Sequence, residues 1–212
     1  MFDRQRFELY ETYFEKEHED SFVLLDGTGR VMVSAPHSVE QTRRGRIKIS
    51  EPQTGTLARM LHDELGCPVI FKTKNCMDDA NFDEVSPYKQ ALAEYVKQKE
   101  IGFLLDLHQL SPKRDVQINL GTGKGKNVSR AEYIDAAVRA FGKRNIHAIG
   151  IDTPFDASCP NTVSSYVSRM CAIPCMQIEI HSLLVWPIDK GAPAKDVYDA
   201  LAELVTALEK LI

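Results

Sequence analysis

Residues 101–108, IGFLLDLH, form a nearly continuous apolar run that ends on a histidine. A strand covered on both faces has this pattern, whereas a strand with one wet face alternates apolar and polar positions. Helices on both sides of a sheet are therefore expected. Outward from this run, PVIFKT (68–73), DVQINLG (115–121), residues 146–151 and CMQIEIH (175–181) also read as strands. Between them lie helical stretches. Residues 51–65 place Leu57, Met60, Leu61 and Leu65 on one side and stop at Gly66. Ser86-Pro87 opens a helix to about Lys99, with Ser86 as N-cap and proline at the first helical position. Residues 130–143 and 194–211 complete the set. This alternation points to an α/β layered fold. FVLLD and RVMVSA flank Gly27-Thr28-Gly29 and read as a hairpin, so the sheet is expected to be mixed. The first twenty residues read as an amphipathic helical arm, with Phe7, Tyr10, Tyr13 and Phe14 in its stripe.

A length of 212 residues, against about 150 per domain, predicts a single domain over 1–212. Hydrophobic residues at 43% and charged residues at 26% place the chain among globular proteins rather than disordered ones. A net charge of −4 argues against nucleic acid as a partner. No apolar run approaches the roughly 18 residues that span a bilayer, so no membrane partner is expected. The charged amino terminus lacks an apolar signal-peptide core, which makes the cytoplasm the expected location. Five scattered cysteines read as free thiols in that compartment. Cys171 and Cys175 have the spacing of a metal pair, but Pro174 and the apolar strand that follows favour buried thiols.

Reactive side chains in α/β sheets gather where strands end. Three strand ends carry such residues. In SAPHSVE (34–40), His37 is followed three residues later by Glu40, and on a helical turn the two would share a side. LLDLH (104–108) ends on His108, with Asp106 on the same strand face. In MQIEIH (176–181), Glu179 interrupts an apolar strand, a costly position for a carboxylate without a partner. Two histidines and a carboxylate with one coordination position open make a catalytic zinc site. His37, Glu40 and His108 supply that set, and Zn2+ suits N/O ligands better than magnesium does. Glu179 would then act beside the metal as the general base for zinc-bound water. Asp106 would orient an imidazole from behind. The same residues also admit a plainer reading, with His108 as a satisfied core histidine and Asp106 as a loop cap.

At these positions the sequence resembles the N-formylglutamate amidohydrolase family, relatives of the zinc carboxypeptidases and aspartoacylases. Pro36-His37-Ser38 matches the family's Pro-His-Ser segment, and His37 and Glu40 match its His-x-x-Glu pair. Asp106-Leu107-His108 matches its Asp-x-His strand end, and Gln177-Ile178-Glu179-Ile180 matches its catalytic strand. DDANFDE (78–84) resembles its Asp-x-Asn-Arg loop, and SSYVSRM (164–170) its Tyr-x-x-Arg segment. The resemblance runs from about residue 30 to 186. It implies a three-layer αβα fold of the zinc-carboxypeptidase type with a mixed, mostly parallel sheet. It also implies one zinc ion and hydrolysis of an amide next to a carboxylate-bearing amino acid, with Asn81 at the substrate's polar end.

Two family arginines are absent: Phe82 follows Asn81, and His181-Ser182 follows the catalytic strand. Formylglutamate is therefore expected to be a poor substrate compared with another N-acyl amino acid or small peptide. Other cations are available for a substrate carboxylate, since a guanidinium clamp has the required fork geometry. Arg169 matches a family arginine, Arg43, Arg44 and Arg46 lie in a loop just beyond the first motif, and Arg114 follows His108. The substrate-binding set expected from the sequence is Arg169, Asn81, Arg44, Arg46 and Arg114. The leading function is a zinc-dependent amidohydrolase acting on a small molecule. The alternative is a catalytically idle metal- or ligand-binding protein on the same scaffold. Esterase chemistry through serine lacks a GxSxG elbow. GTGKGKN (121–127) lacks phosphate-loop spacing and reads as a surface loop, while His18, His62 and His147 read as structural or surface residues.

Overall fold

The computed structural model describes residues 2–187 and 191–212; Met1 of the amino-terminal arm lies outside them. The chain opens with helix α1 (Arg4–Glu11), followed by strands β1 (Phe22–Leu25) and β2 (Val31–Ala35). A small ribbon of β3 (Gln41–Arg43) and β4 (Arg46–Lys48) precedes α2 (Pro52–Leu65) and β5 (Val69–Lys72). Then come α3 (Pro87–Gln98), β6 (Phe103–Leu110), β7 (Ile118–Gly121), α4 (Ala131–Gly142) and β8 (Ile149–Ile151). Helix α5 (Val163–Cys171), β9 (Cys175–His181), a short 3-10 turn (Ser182–Leu184) and α6 (Ala194–Glu209) complete the described elements.

Seven strands form one mixed sheet in the order β1-β5-β2-β6-β9-β7-β8. The pairs β5-β2, β2-β6, β6-β9 and β7-β8 are parallel, while β1-β5 and β9-β7 are antiparallel. The run read first, at 101–108, becomes β6 at the sheet's centre. Its alternate residues face opposite layers. Phe103, Leu105 and Leu107 join the larger apolar core, which also contains side chains of α1, α2, α4 and α6. Leu104 joins the second core with residues of α3 and α5. These three layers are the expected αβα arrangement.

Face parity positions the chemistry. Leu104, Asp106 and His108 lie on one face of β6, and Cys175, Gln177 and Glu179 lie on one face of β9. Parallel pairing sets His108 opposite Glu179 and Asp106 opposite Gln177. Towards the carboxyl ends of these strands the apolar face thus turns polar, and there the site forms.

The expected hairpin of residues 22–26 and 30–35 does not exist. Strand β5 lies between β1 and β2 and pairs with both. The Gly-Thr-Gly segment instead threads past the end of α2: a Cβ on Gly27 would lie 2.4 Å from both Gly66 O and Pro68 N. The sheet is still mixed, but through β1-β5 and β9-β7. The arm at 1–20 is helical only over Arg4–Glu11, and its Phe7 and Phe14 are buried as expected of core cover. Residues 121–127 form a surface turn fastened at its base, where Thr122 Oγ1 donates to Asp152 Oδ2 at 2.6 Å. His147 is exposed, whereas His18 and His62 contact backbone carbonyls.

Two distant groups secure β2. Glu209 Oε1, in the last turn of α6, accepts from Arg30 N and Val31 N, both at 2.8 Å. At the other end the buried Tyr88 hydroxyl accepts from Ala35 N at 3.2 Å and donates to Ile70 O at 3.0 Å, joining α3 to β2 and β5. Gly27→Ala is expected to destabilise the chain by about 1–3 kcal/mol, because the methyl group meets backbone rather than a movable side chain. Denaturant titration of the two proteins measures the difference.

Candidate metal centre and active-site cleft

Beyond β2 the chain turns at Pro36 and places His37 at 2% exposure. This turn does not continue as a helix. Ser38 Oγ bonds back to Ala35 O, the Gln41 side chain bonds to His37 O, and the chain enters β3 directly. Glu40 is consequently exposed and outside the site. The carboxylate that meets His37 belongs instead to Glu51, immediately before Pro52 at the start of α2, after the β3-β4 ribbon has reversed the chain. Glu51 N donates to His37 O at 2.8 Å, which fixes the return.

His37, Glu51 and His108 offer ligand atoms that all lie within 4.8 Å of one another. The two Nδ1 atoms are 3.2 Å apart, and His37 Nδ1 is 3.3 Å from Glu51 Oε1. Each outward Nε2 faces a buried carboxylate: His37 Nε2 lies 2.9 Å from Asp79 Oδ1, and His108 Nε2 lies 3.2 Å from Asp106 Oδ2. When both Nε2–H groups donate outward, both Nδ1 lone pairs point inward at each other. That arrangement is stable only with a positive centre between them, a proton or a metal ion. The donor set and the outward carboxylates match what a divalent metal requires of its ligands and their supports.

Charge in the site is strongly coupled. Burial pushes Glu179 up to about 7, with Glu51 and Asp106 adding to the effect against the opposing histidines. Burial acts against a charged His108, but Asp106, Glu179 and Glu51 outweigh it and raise the imidazole to about 9. Asp79 is costly to bury, yet His37 and Arg43 hold it well below the usual carboxylate range. Glu51 is likewise lowered, since the two histidines and the Gln109 N–H outweigh its burial. Glu179 is 8% exposed, accepts from Gln177 Nε2 at 2.9 Å and lines the cleft beside His108.

The cleft has a volume of about 860 Å³. One wall carries Phe82 with the Arg43 guanidinium 4.8 Å from its ring centroid, and another carries Phe155 with Arg114 at 5.2 Å. Asn81 also lines it, although its Oδ1 accepts from Val163 N at 2.8 Å and so holds the start of α5. Buried Lys89 ties this wall together, its Nζ donating to Asp83 O and Asn161 O.

The expected arginines divide. Arg114 lines the cleft. Arg44 is exposed and stacks on Phe82 at 4.9 Å, outside the lining, and Arg46 is exposed on the ribbon. Arg169 does not reach the cleft. It sits in the last turn of α5, and that helix buries Val163, Ser164 and Val167, leaving Arg169 to a separate cavity with Glu84, Gln90 and Tyr166. Three contributors escaped the sequence reading. Glu51 stands fourteen residues from His37, and Pro52 beside it signals the start of a helix rather than a ligand. Asp79 lay inside the quoted DDANFDE segment. Arg43 was visible only as one of three arginines in a loop.

Solved structures share this three-layer architecture. The gene product Atu2144 from Agrobacterium tumefaciens matches over 92% of this chain and 96% of its own, with a TM-score of 0.65 and 12% identity. N-formylglutamate amidohydrolase from Ralstonia eutropha JMP134 matches over 88% and 97%, with a TM-score of 0.58 and 13% identity. A metallo-carboxypeptidase from Burkholderia cenocepacia matches over 100% of this chain and 70% of its own, with a TM-score of 0.54 and 12% identity. The resemblance read from the motifs thus extends to the fold. No family model and no curated protein matches the sequence.

The raised groups set a pH dependence. In the folded metal-free chain, Glu179 and His108 keep protons that the unfolded chain releases at about 4.3 and about 6.5. The folded state binds more protons across these windows, so stability falls as pH rises. Melting of the metal-free protein should decline from about pH 5 to about pH 9, and Glu179→Gln should flatten the lower half of that decline. Divalent metal should stabilise most at the alkaline end, because ligand imidazoles must first be deprotonated. Thermal melts across pH, with and without metal, measure both effects.

Proposed function

We propose that this chain is a zinc-dependent hydrolase that cleaves the amide bond of an N-acyl amino acid or small peptide bearing a carboxylate. The observation that carries the reading is the pair of inward Nδ1 atoms 3.2 Å apart, completed by Glu51 and flanked in register by Glu179. The hydrolase activities of the formylglutamate amidohydrolase and the metallo-carboxypeptidase with this fold support it. His37, Glu51 and His108 would hold Zn2+. When bound, the ion would polarise the scissile carbonyl and make water a stronger acid.

The chain's own groups do the rest. Glu179 takes the proton of the attacking water and returns it to the leaving amine, a role suited to a carboxylate raised to about 7. Asp79 and Asp106 hold the imidazoles with Nδ1 turned inward. Phe82 and Phe155 form apolar walls, and the guanidinium groups stacked on them supply charge opposite to a substrate carboxylate. The same reading makes the chain a single 212-residue domain working in the cytoplasm on a small molecule, not on nucleic acid or membrane. Its net charge of −4 and unpaired cysteines support this, and among the described residues no helix is long and apolar enough to cross a membrane.

Metal stoichiometry and turnover, measured on the same preparations against a panel of N-acyl amino acids, test the assignment. Glu179→Gln should keep zinc near one equivalent while kcat falls by about 10²–10⁴-fold. Glu179→Gln with full activity would place catalysis elsewhere, whereas zinc uptake by the wild type with no turnover of any panel member would favour the idle metal-binding alternative. In a companion pair, Glu51→Ala should lose zinc and activity together, as His37→Ala should, whereas Glu40→Ala should retain both. Zinc loss in Glu40→Ala with retention in Glu51→Ala would restore the His-x-x-Glu pair and exclude the site drawn here.

A further inference from the structure

Arg43, the last residue of β3, belongs to two environments. Its Nε–H donates to Asp79 Oδ2 at 2.8 Å, while the other Asp79 oxygen lies 2.9 Å from His37 Nε2. Asp79 is fully buried, yet the Arg43 side chain is 32% exposed and lines the cleft. The Phe82 ring, 4.8 Å from the guanidinium carbon, restrains the plane of the group. A guanidinium carries five N–H donors in a fixed fork. One is used on Asp79, and among the described residues no other hydrogen bond to this guanidinium is found.

We propose that Arg43 is a positioning residue shared between the metal site and the substrate: its Nε–H holds Asp79 against His37, and its Nη groups take the substrate carboxylate. The proposal rests on the hydrolase reading above and names the residue that ties specificity to the metal ligand. Other arginines lack one half of the geometry. Arg114 stacks on Phe155 and makes no contact with Asp79, and Arg44 shares the Phe82 ring but lies outside the cleft lining. Lysine at position 43 would be a point charge without the planar fork, and so would lack the fixed geometry that directs Nε–H to Asp79 and the Nη groups to the cleft. Because one group serves both sites, any effect of a carboxylate in the cleft on metal affinity is matched by an equal effect of the metal on carboxylate affinity.

The experiment compares wild type, R43K, R43Q, D79N and R114Q, all first checked for an unchanged melting profile without metal. Zinc affinity is measured by chelator competition, and kcat and KM are measured on matched pairs of N-acyl amino acids and their carboxamides. R43Q should weaken zinc binding by about 10–100-fold and lose the preference for carboxylate over carboxamide through KM. R43K should keep part of that preference but weaken zinc. D79N should weaken zinc and keep the preference, and R114Q should leave zinc affinity unchanged. Wild-type zinc affinity in R43Q, or an intact carboxylate preference, would overturn the proposal.

A metal-free readout separates this idea from the hydrolase reading. Imidazole nitrogen shifts of His37 report its tautomer, which should be Nε2–H in the wild type and mixed in R43Q. If the wild type took up no zinc or cleaved no substrate, the hydrolase reading would fall, and with it the substrate half of this proposal. An unchanged His37 tautomer in R43Q would instead overturn the positioning half alone.

Discussion

Two imidazoles face each other across 3.2 Å, each held from behind by a buried carboxylate. Everything else near the cleft follows from keeping that pair in place. Buried carboxylates are costly unless partnered, so Asp79 requires Arg43 as well as His37, and Asp106 requires His108. Those needs bring together the turn after β2, the 79–83 loop, the β3-β4 ribbon and the centre of the sheet. The aromatic walls come with them, because the 79–83 loop carries Phe82. The site is therefore less a set of ligands than a network of compensated charges, mounted where two parallel strands end in register.

The register itself was largely readable. The apolar run at 101–108 and the Glu179 interruption in β9 define the central strands and their chemical face, and period-two parity puts Asp106 with His108. Helix α2 announces itself by spacing and by its stop at Gly66, and α3 by its Ser86-Pro87 start. Non-local choices were not readable. Two apolar runs around Gly-Thr-Gly describe a hairpin as well as they describe two strands separated by a third, and the competition is decided by β5, some forty residues later. Helix α5, nine residues long with three serines, spans too short a window for its period to separate a helix from a loop.

Glu40 and Arg169 show the same limit within the site. A carboxylate three residues after His37 meets it only on a helical turn, and the chain here passes straight into a ribbon. Glu51 is farther in sequence and nearer in space because that ribbon reverses direction. Arg169 occupies a matching motif position but stands on the outer side of its helix. Motif order thus located the strand ends, whereas contact between side chains depended on how the connecting segments fold back.

The Glu209 side chain that accepts the amides of Arg30 and Val31 has a kinetic meaning. The strand that delivers His37 is capped by a residue almost at the other end of the described chain. Of its two sheet neighbours, β5 closes the first third of the chain and β6 lies some thirty residues beyond it, so β2 gains one edge locally and the other only from a later segment. Contacts of such wide sequence separation demand loop closure before they repay it, which slows folding and leaves strands transiently unpaired. The position of His37 therefore depends on pairings drawn from most of the described chain, and the cleft takes its shape only when those distant pairings are in place.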